Sequence, residues 1–94
     1  MPTYVVLCKW TDQGRRESAS LPERFDATSR FFADETGGRI IGAYVTFGQY
    51  DTVIIIEAPD DETLTRYLLY LGSRGYISTE TMRGFTADEV RDLL

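Results

Sequence analysis

The run Val53-Ile54-Ile55-Ile56 restricts the possible folds of this chain more than any other stretch. Side chains of a strand point alternately to two faces, so an unbroken β-branched run is apolar on both and needs cover on both. Thr3 to Cys8, read Thr-Tyr-Val-Val-Leu-Cys before Lys9 and Trp10, makes the same demand. Ahead of the Val53 run stands the turn-rich Gly48-Gln49-Tyr50-Asp51, and ahead of that Arg39 to Phe47 reads as a strand. Gly42 within it marks a bulge or a place where something packs closely on the backbone. The strands flanking the turn, Arg39 to Phe47 and Thr52 to Glu57, read most simply as an antiparallel hairpin, with Gly48 in a conformation other residues resist.

Helices fill the intervals. Ser20-Leu21-Pro22-Glu23 has the spacing of a capping box, and Leu21, Phe25, Thr28 and Phe32 continue as one apolar stripe until Gly37-Gly38 caps it. Asp60 is placed as the N-cap of a second helix with acidic residues in its first turn, and Leu64, Tyr67, Leu68 and Leu71 form its stripe. Gly72 to Gly75 ends it, Tyr76 to Phe85 reads as a fourth strand, and Thr86-Ala87-Asp88-Glu89 caps a short helix at about 86–93. Phe85 and Val90 are spaced as a hydrophobic staple for that helix, while Arg15 to Ser20 reads equally as a helical turn or a loop.

The order is β-α-β-β-α-β, an α+β, ferredoxin-like arrangement in one domain, residues 1–94: a four-stranded antiparallel sheet with two helices on one face. Two helices leave the other face bare. A second copy packed sheet to sheet would cover it, predicting a homodimer or a multiple of dimers that closes a dimeric α+β barrel. The competing expectation is a bare face where Tyr4, Tyr44 and Thr46 meet water.

Composition narrows the partners. With 15 acidic against 10 basic residues the net charge is −5, which repels a phosphate backbone and argues against nucleic acid. No apolar run has membrane-span length and no signal-peptide layout opens the chain, so a cytoplasmic protein is expected. The 94 residues include no histidine, which removes the usual general base, zinc ligand and haem ligand together. The one cysteine, Cys8, reads as a small hydrophobe on a strand unless Lys9 activates it. Asp60, Asp61 and Glu62 are explained by helix capping and lack the alternating oxygen spacing of a calcium loop, so neither metal nor cofactor is expected.

Six residues stand out as candidate ligand contacts. Tyr50 and Asp51 could meet a ligand amine or phenol at the hairpin mouth, or serve the turn by bonding backbone amides. Glu57, at the end of an apolar strand, becomes a base if it points inward and an ion pair if Arg83 or Lys9 meets it. Tyr4, Tyr44 and Thr46, with Trp10, could line an aromatic cleft at a subunit contact, or form only a dimer core. Pro2 would offer an amine base only if Met1 were removed.

Gly48-x-Tyr50-Asp51 between apolar strands, followed by Glu57-Ala58-Pro59-Asp60-Asp61-Glu62, resembles the GYD domain family. Met1-Pro2-Thr3-Tyr4, Thr11-Asp12-Gln13-Gly14, Leu71-Gly72-Ser73 and Thr79-Glu80-Thr81-Met82-Arg83 with Phe85-Thr86 extend the likeness over nearly the whole chain. The resemblance implies a dimeric α+β barrel and no particular chemistry. Gly75-Tyr76-Ile77-x-Thr79-x-Thr81 is similar to the ligand-sensing domain of leucine-responsive regulators, although the chain has no helix-turn-helix segment. These readings imply a homo-oligomeric small-ligand-binding module with its site near the subunit contact. The alternatives are a cofactor-independent monooxygenase or isomerase, and an assembly subunit with no pocket.

Overall fold

The computed structural model describes residues 1–94. The elements are β1 (Thr3–Trp10), α1 (Asp12–Arg16), α2 (Leu21–Thr36), β2 (Arg39–Val45), β3 (Thr52–Glu57), α3 (Asp61–Ser73), β4 (Ile77–Gly84) and α4 (Ala87–Leu93), with a 3₁₀ turn at Ser18–Ser20 before α2. All pairings are antiparallel and the sheet order is β2-β3-β1-β4, the ferredoxin-like arrangement expected. Arg15 to Ser20, open on sequence, is thus the end of α1 and the 3₁₀ turn.

The register sorts every strand residue to a face. Tyr4 stands between Ile56 and Arg83, Val6 between Ile54 and Thr81, and Cys8 between Thr52 and Thr79. This face carries the helices, and its Tyr4, Val6, Cys8 and Ile56 are buried with Phe32 of α2, Leu64 and Tyr67 of α3, and Ala58. Burying each large apolar side chain contributes about 1.5–3 kcal/mol. Alternate residues face the other way: Val5 between Ile55 and Met82, Leu7 between Val53 and Glu80, and Tyr44 beside Val53. No helix lies there. Val5, Leu7, Val53 and Ile55 are half-buried, while Tyr44 and Met82 are exposed.

Local chemistry explains most boundaries. Gly37 takes a left-handed φ of 76° and donates its N–H to the Ala33 carbonyl, ending α2. Gly38 is required for packing, because a Cβ there would lie 2.3 Å from the Glu57 carbonyl oxygen and 2.9 Å from the Phe32 ring. The register slips between Ile40 and Gly42, so Ile41 is the extra bulge residue, and the Tyr44 ring lies against Gly42. Asp60 caps α3 by accepting from the Thr63 N–H at 2.7 Å, and Thr86 and Glu89 form the reciprocal capping box of α4. Those bonds hold the Asp60 and Glu89 carboxyls below the usual range. Phe85 lies under the Arg83 guanidinium, and Phe85 and Val90 are both exposed.

Two expectations are corrected here. Ser20 precedes α2 but makes no cap bond. Ser20 ends the 3₁₀ turn with φ −92° and ψ 5°, outside the extended region from which an N-cap side chain reaches the third helical N–H, here that of Glu23. The Ser20 hydroxyl instead donates to the Glu17 carbonyl at 2.9 Å and accepts from Arg24 Nε at 3.1 Å. Tyr4, expected with Tyr44 on a face open to water, is 4% exposed beneath the helices.

Candidate functional site

At the end of the β2–β3 hairpin, polar groups of the turn are used to close it. The Thr46 N–H donates to the Asp51 carbonyl and its hydroxyl donates to the Tyr50 carbonyl at 2.6 Å, while Gly48 takes a φ of 119°. Asp51 extends the ladder ahead of the first residue of β3: its N–H donates to the Cys8 carbonyl, and its carboxylate accepts from the Trp10 N–H at 2.8 Å. Arg15 lies 3.9 Å from the same carboxylate. Trp10 turns its ring to the helix side, where the indole N–H donates to Thr52 Oγ1 at 2.9 Å.

Tyr50 leans across the face without helices. Its hydroxyl donates to Glu80 on β4 and Lys9 Nζ lies 5.5 Å from its ring centre, so the turn reaches over β1. The Glu80 carboxylate raises the Tyr50 pKa by holding the proton on the phenol. Glu57 lies on the same face and pairs with its cross-strand neighbour Arg39 at 3.1 Å, not with Arg83 or Lys9. Arg83 is on the opposite face and donates instead to the Thr3 and Gly84 carbonyls.

The single cleft expected from Tyr4, Tyr44, Thr46 and Trp10 is therefore divided. Tyr44, Tyr50 and Glu57 face away from the helices, and Tyr4 and Trp10 face toward them. The Tyr4 hydroxyl donates to Asp61 at the start of α3; burial first, and then that bond, push it up to about 12.

A cavity that sequence reasoning missed lies between the sheet and the two long helices. It has a volume of about 390 Å³, within the usual range for small-molecule pockets. Val6, Cys8, Ile54 and Ile56 floor it, Phe25 and Thr28 of α2 form one wall, and Leu68 and Leu71 of α3 form the other. Two aromatic pairs bridge α2 to α3 beside it: Phe31 stacks on Tyr70 at 5.2 Å, and Phe32 meets Tyr67 edge-on at 4.6 Å. Tyr67 lines the cavity, and its buried hydroxyl has no hydrogen-bond partner. Arg24, Arg74 and Tyr76 complete the lining. The helical stripes supplied a signal for the walls, but periodicity does not say how far apart two helices stand on a sheet.

Cys8 is 1% exposed at the cavity floor, and burial pushes its thiol up from 9.0 to about 11. At pH 8 the thiolate fraction of the folded protein is thus about a hundredfold below that of the unfolded chain. A disulfide reagent is expected to label native Cys8 at least about a hundredfold more slowly than in guanidinium chloride. Rapid stoichiometric labelling of the native protein would contradict this. A neutral Cys8 contributes stability that is complete below about pH 9 and is lost as pH rises through about 11.

Comparison with known proteins agrees with this architecture. The GYD domain family model matches residues 4–94. A Thermus thermophilus protein named "Glutamine synthetase and cystathionine beta-lyase binding protein" is 36% identical over 94 residues, covering 100% of this chain and 96% of that protein. Among solved structures, FFRP-DM1 superposes with a TM-score of 0.64 at 22% identity, over 90% of this chain and 100% of the other. A hypothetical protein of Pyrococcus horikoshii gives a TM-score of 0.58 at 19% identity, over 92% of each chain. At such identities these two establish the fold alone. No helix is long and apolar enough to cross a membrane.

Proposed function

The chain belongs to the GYD domain family, and on that premise we propose that it is a binding module that pairs with a second copy through the bare face of its sheet. In this reading the pair docks on metabolic enzymes of the kind its Thermus relative is named for. The observation that carries the pairing is the apolar strip Val5, Leu7, Val53 and Ile55 on the two central strands, uncovered within one chain. A sheet of four strands of six to eight residues is roughly 20–27 by 19 Å, about half to two-thirds of the roughly 800 Å² that a standard interface takes from each partner. Pairing sheet to sheet removes the strip from water, and Lys9, Glu80, Arg39 and Glu57 around it offer both charge signs to a two-fold copy.

Tyr44, Tyr50 and Glu57 would stand at that contact. A small molecule held between copies at the hairpin end would meet the phenols of Tyr44 and Tyr50 and the Glu80 carboxylate, with Glu57 roughly 13 Å farther along β3. The enzyme partnership rests on the 36% identity over the full chain. It is tested by passing the glutamine synthetase and cystathionine β-lyase of the same cell over the immobilised protein. Saturable retention of one or both in the micromolar range is expected; retention of neither would remove this part of the reading.

A further inference from the structure

We infer that the cavity between the helices and the sheet is a binding site for an apolar monocarboxylate, whose hydrocarbon body fills the interior and whose carboxylate is held at the mouth by Arg24 and Arg74. The volume of 390 Å³ accommodates on the order of a dozen non-hydrogen atoms at about 30 Å³ each. The interior suits a hydrocarbon chain or a phenyl ring, because its floor and walls are aliphatic and aromatic. Filling it brings the dispersion contacts that a void withholds from its lining.

The mouth determines the head group. Arg24 and Arg74 lie 4.7 and 5.8 Å from the ring centre of Tyr76, so two guanidinium groups converge on one aromatic residue at the cavity edge. Neither has a carboxylate partner. Arg24 donates to the Ser20 hydroxyl and the Glu17 carbonyl, and Arg74 to the hydroxyls of Tyr70 and Tyr76. A guanidinium has five donors in a planar fork that fits a carboxylate, so both retain donors for an incoming anion. The site is on the opposite side of the sheet from the proposed pairing face, and it stands on different observations.

The test uses the full chain with octanoate and 3-phenylpropanoate as probes, and with octan-1-ol and 3-phenylpropan-1-ol as uncharged counterparts, in isothermal titration calorimetry. Each acid is expected to bind at least tenfold more tightly than its alcohol. The exposed charge substitutions Arg24→Gln and Arg74→Gln together are expected to remove that preference while leaving alcohol binding within about twofold. Leu68→Trp, which fills the interior, is expected to abolish binding of all four. If Leu68→Trp does not fold, methyl chemical-shift changes on octanoate binding supply the location, expected at Leu68, Leu71 and Ile54. Ile55→Lys, on the far face, is expected to leave octanoate affinity unchanged, which separates this site from the pairing reading. No binding at millimolar octanoate, equal affinity for acid and alcohol, an unaltered preference in the double variant, or shift changes confined to the far face would each overturn the assignment.

Discussion

Ile55→Lys is expected to abolish the proposed pairing and leave a monomer that is still folded. Ile55 sits on the central strand β3, opposite Val5 on β1 and Gly42 on β2, on the face that carries no helix. In a two-fold sheet-to-sheet pair, two lysines would be buried near the axis, each losing hydration and facing a like charge. Desolvation of an unpaired ion costs several kcal/mol, so the dissociation constant is expected to rise by at least about a thousandfold, at 1.4 kcal/mol per factor of ten. In the separated chain the lysine stem can lie along Val5 with its ammonium in water, so far-UV circular dichroism should be unchanged. Sedimentation equilibrium at matched concentrations reads the result. A variant that remains as associated as the parent would place the contact elsewhere, for instance at the exposed Phe47 or on α4 with its exposed Leu93.

Phe32→Ala is expected to be the most damaging single core truncation. Phe32 is fully buried, meets Tyr67 edge-on at 62°, and lies so close to Gly38 that a Cβ there would come within 2.9 Å of its ring. Removing the ring breaks one of the two aromatic contacts between α2 and α3 and leaves a void in the core. Such truncations cost about 3–5 kcal/mol, a large share of the roughly 5–15 kcal/mol that holds a domain folded. The Tm should fall by on the order of 20 °C, measured at fixed protein concentration because the proposed pairing would make Tm depend on concentration. Phe32→Leu, which keeps most of the volume, should lose less than half as much. A fall under about 5 °C for Phe32→Ala would show that the two helices are held by other contacts.

The sequence and the structure agree where local chemistry decides. Gly37 as a left-handed cap, Asp60 and Thr86 as N-caps, the bulge beside Gly42 and the hairpin around Gly48 each follow from what one or two side chains can do with neighbouring backbone. The disagreements have tertiary causes. Ser20 has the right spacing for a capping box, but its backbone belongs to the 3₁₀ turn and Arg24 and the Glu17 carbonyl take the hydroxyl. Tyr4 and Tyr44 are both aromatic strand residues, yet only pairing register decides that one lies under the helices and the other away from them. Glu57 pairs with Arg39 because β2 lies beside β3, a neighbour relation set by the sheet and not by charge pattern. The cavity depends on how far α2 and α3 stand apart over the sheet, which two stripes of apolar residues leave open.

The central claim is that the bare face of the sheet is covered by a second copy of the chain. It is tested most directly by an isotope-filtered NOESY spectrum of a mixture of labelled and unlabelled protein, which records contacts between copies only. The account predicts intermolecular cross-peaks from the methyl groups of Val5, Leu7, Val53 and Ile55. Intermolecular cross-peaks that arise only from Phe47, Val90 or Leu93, or none at concentrations of hundreds of micromolar, would contradict it.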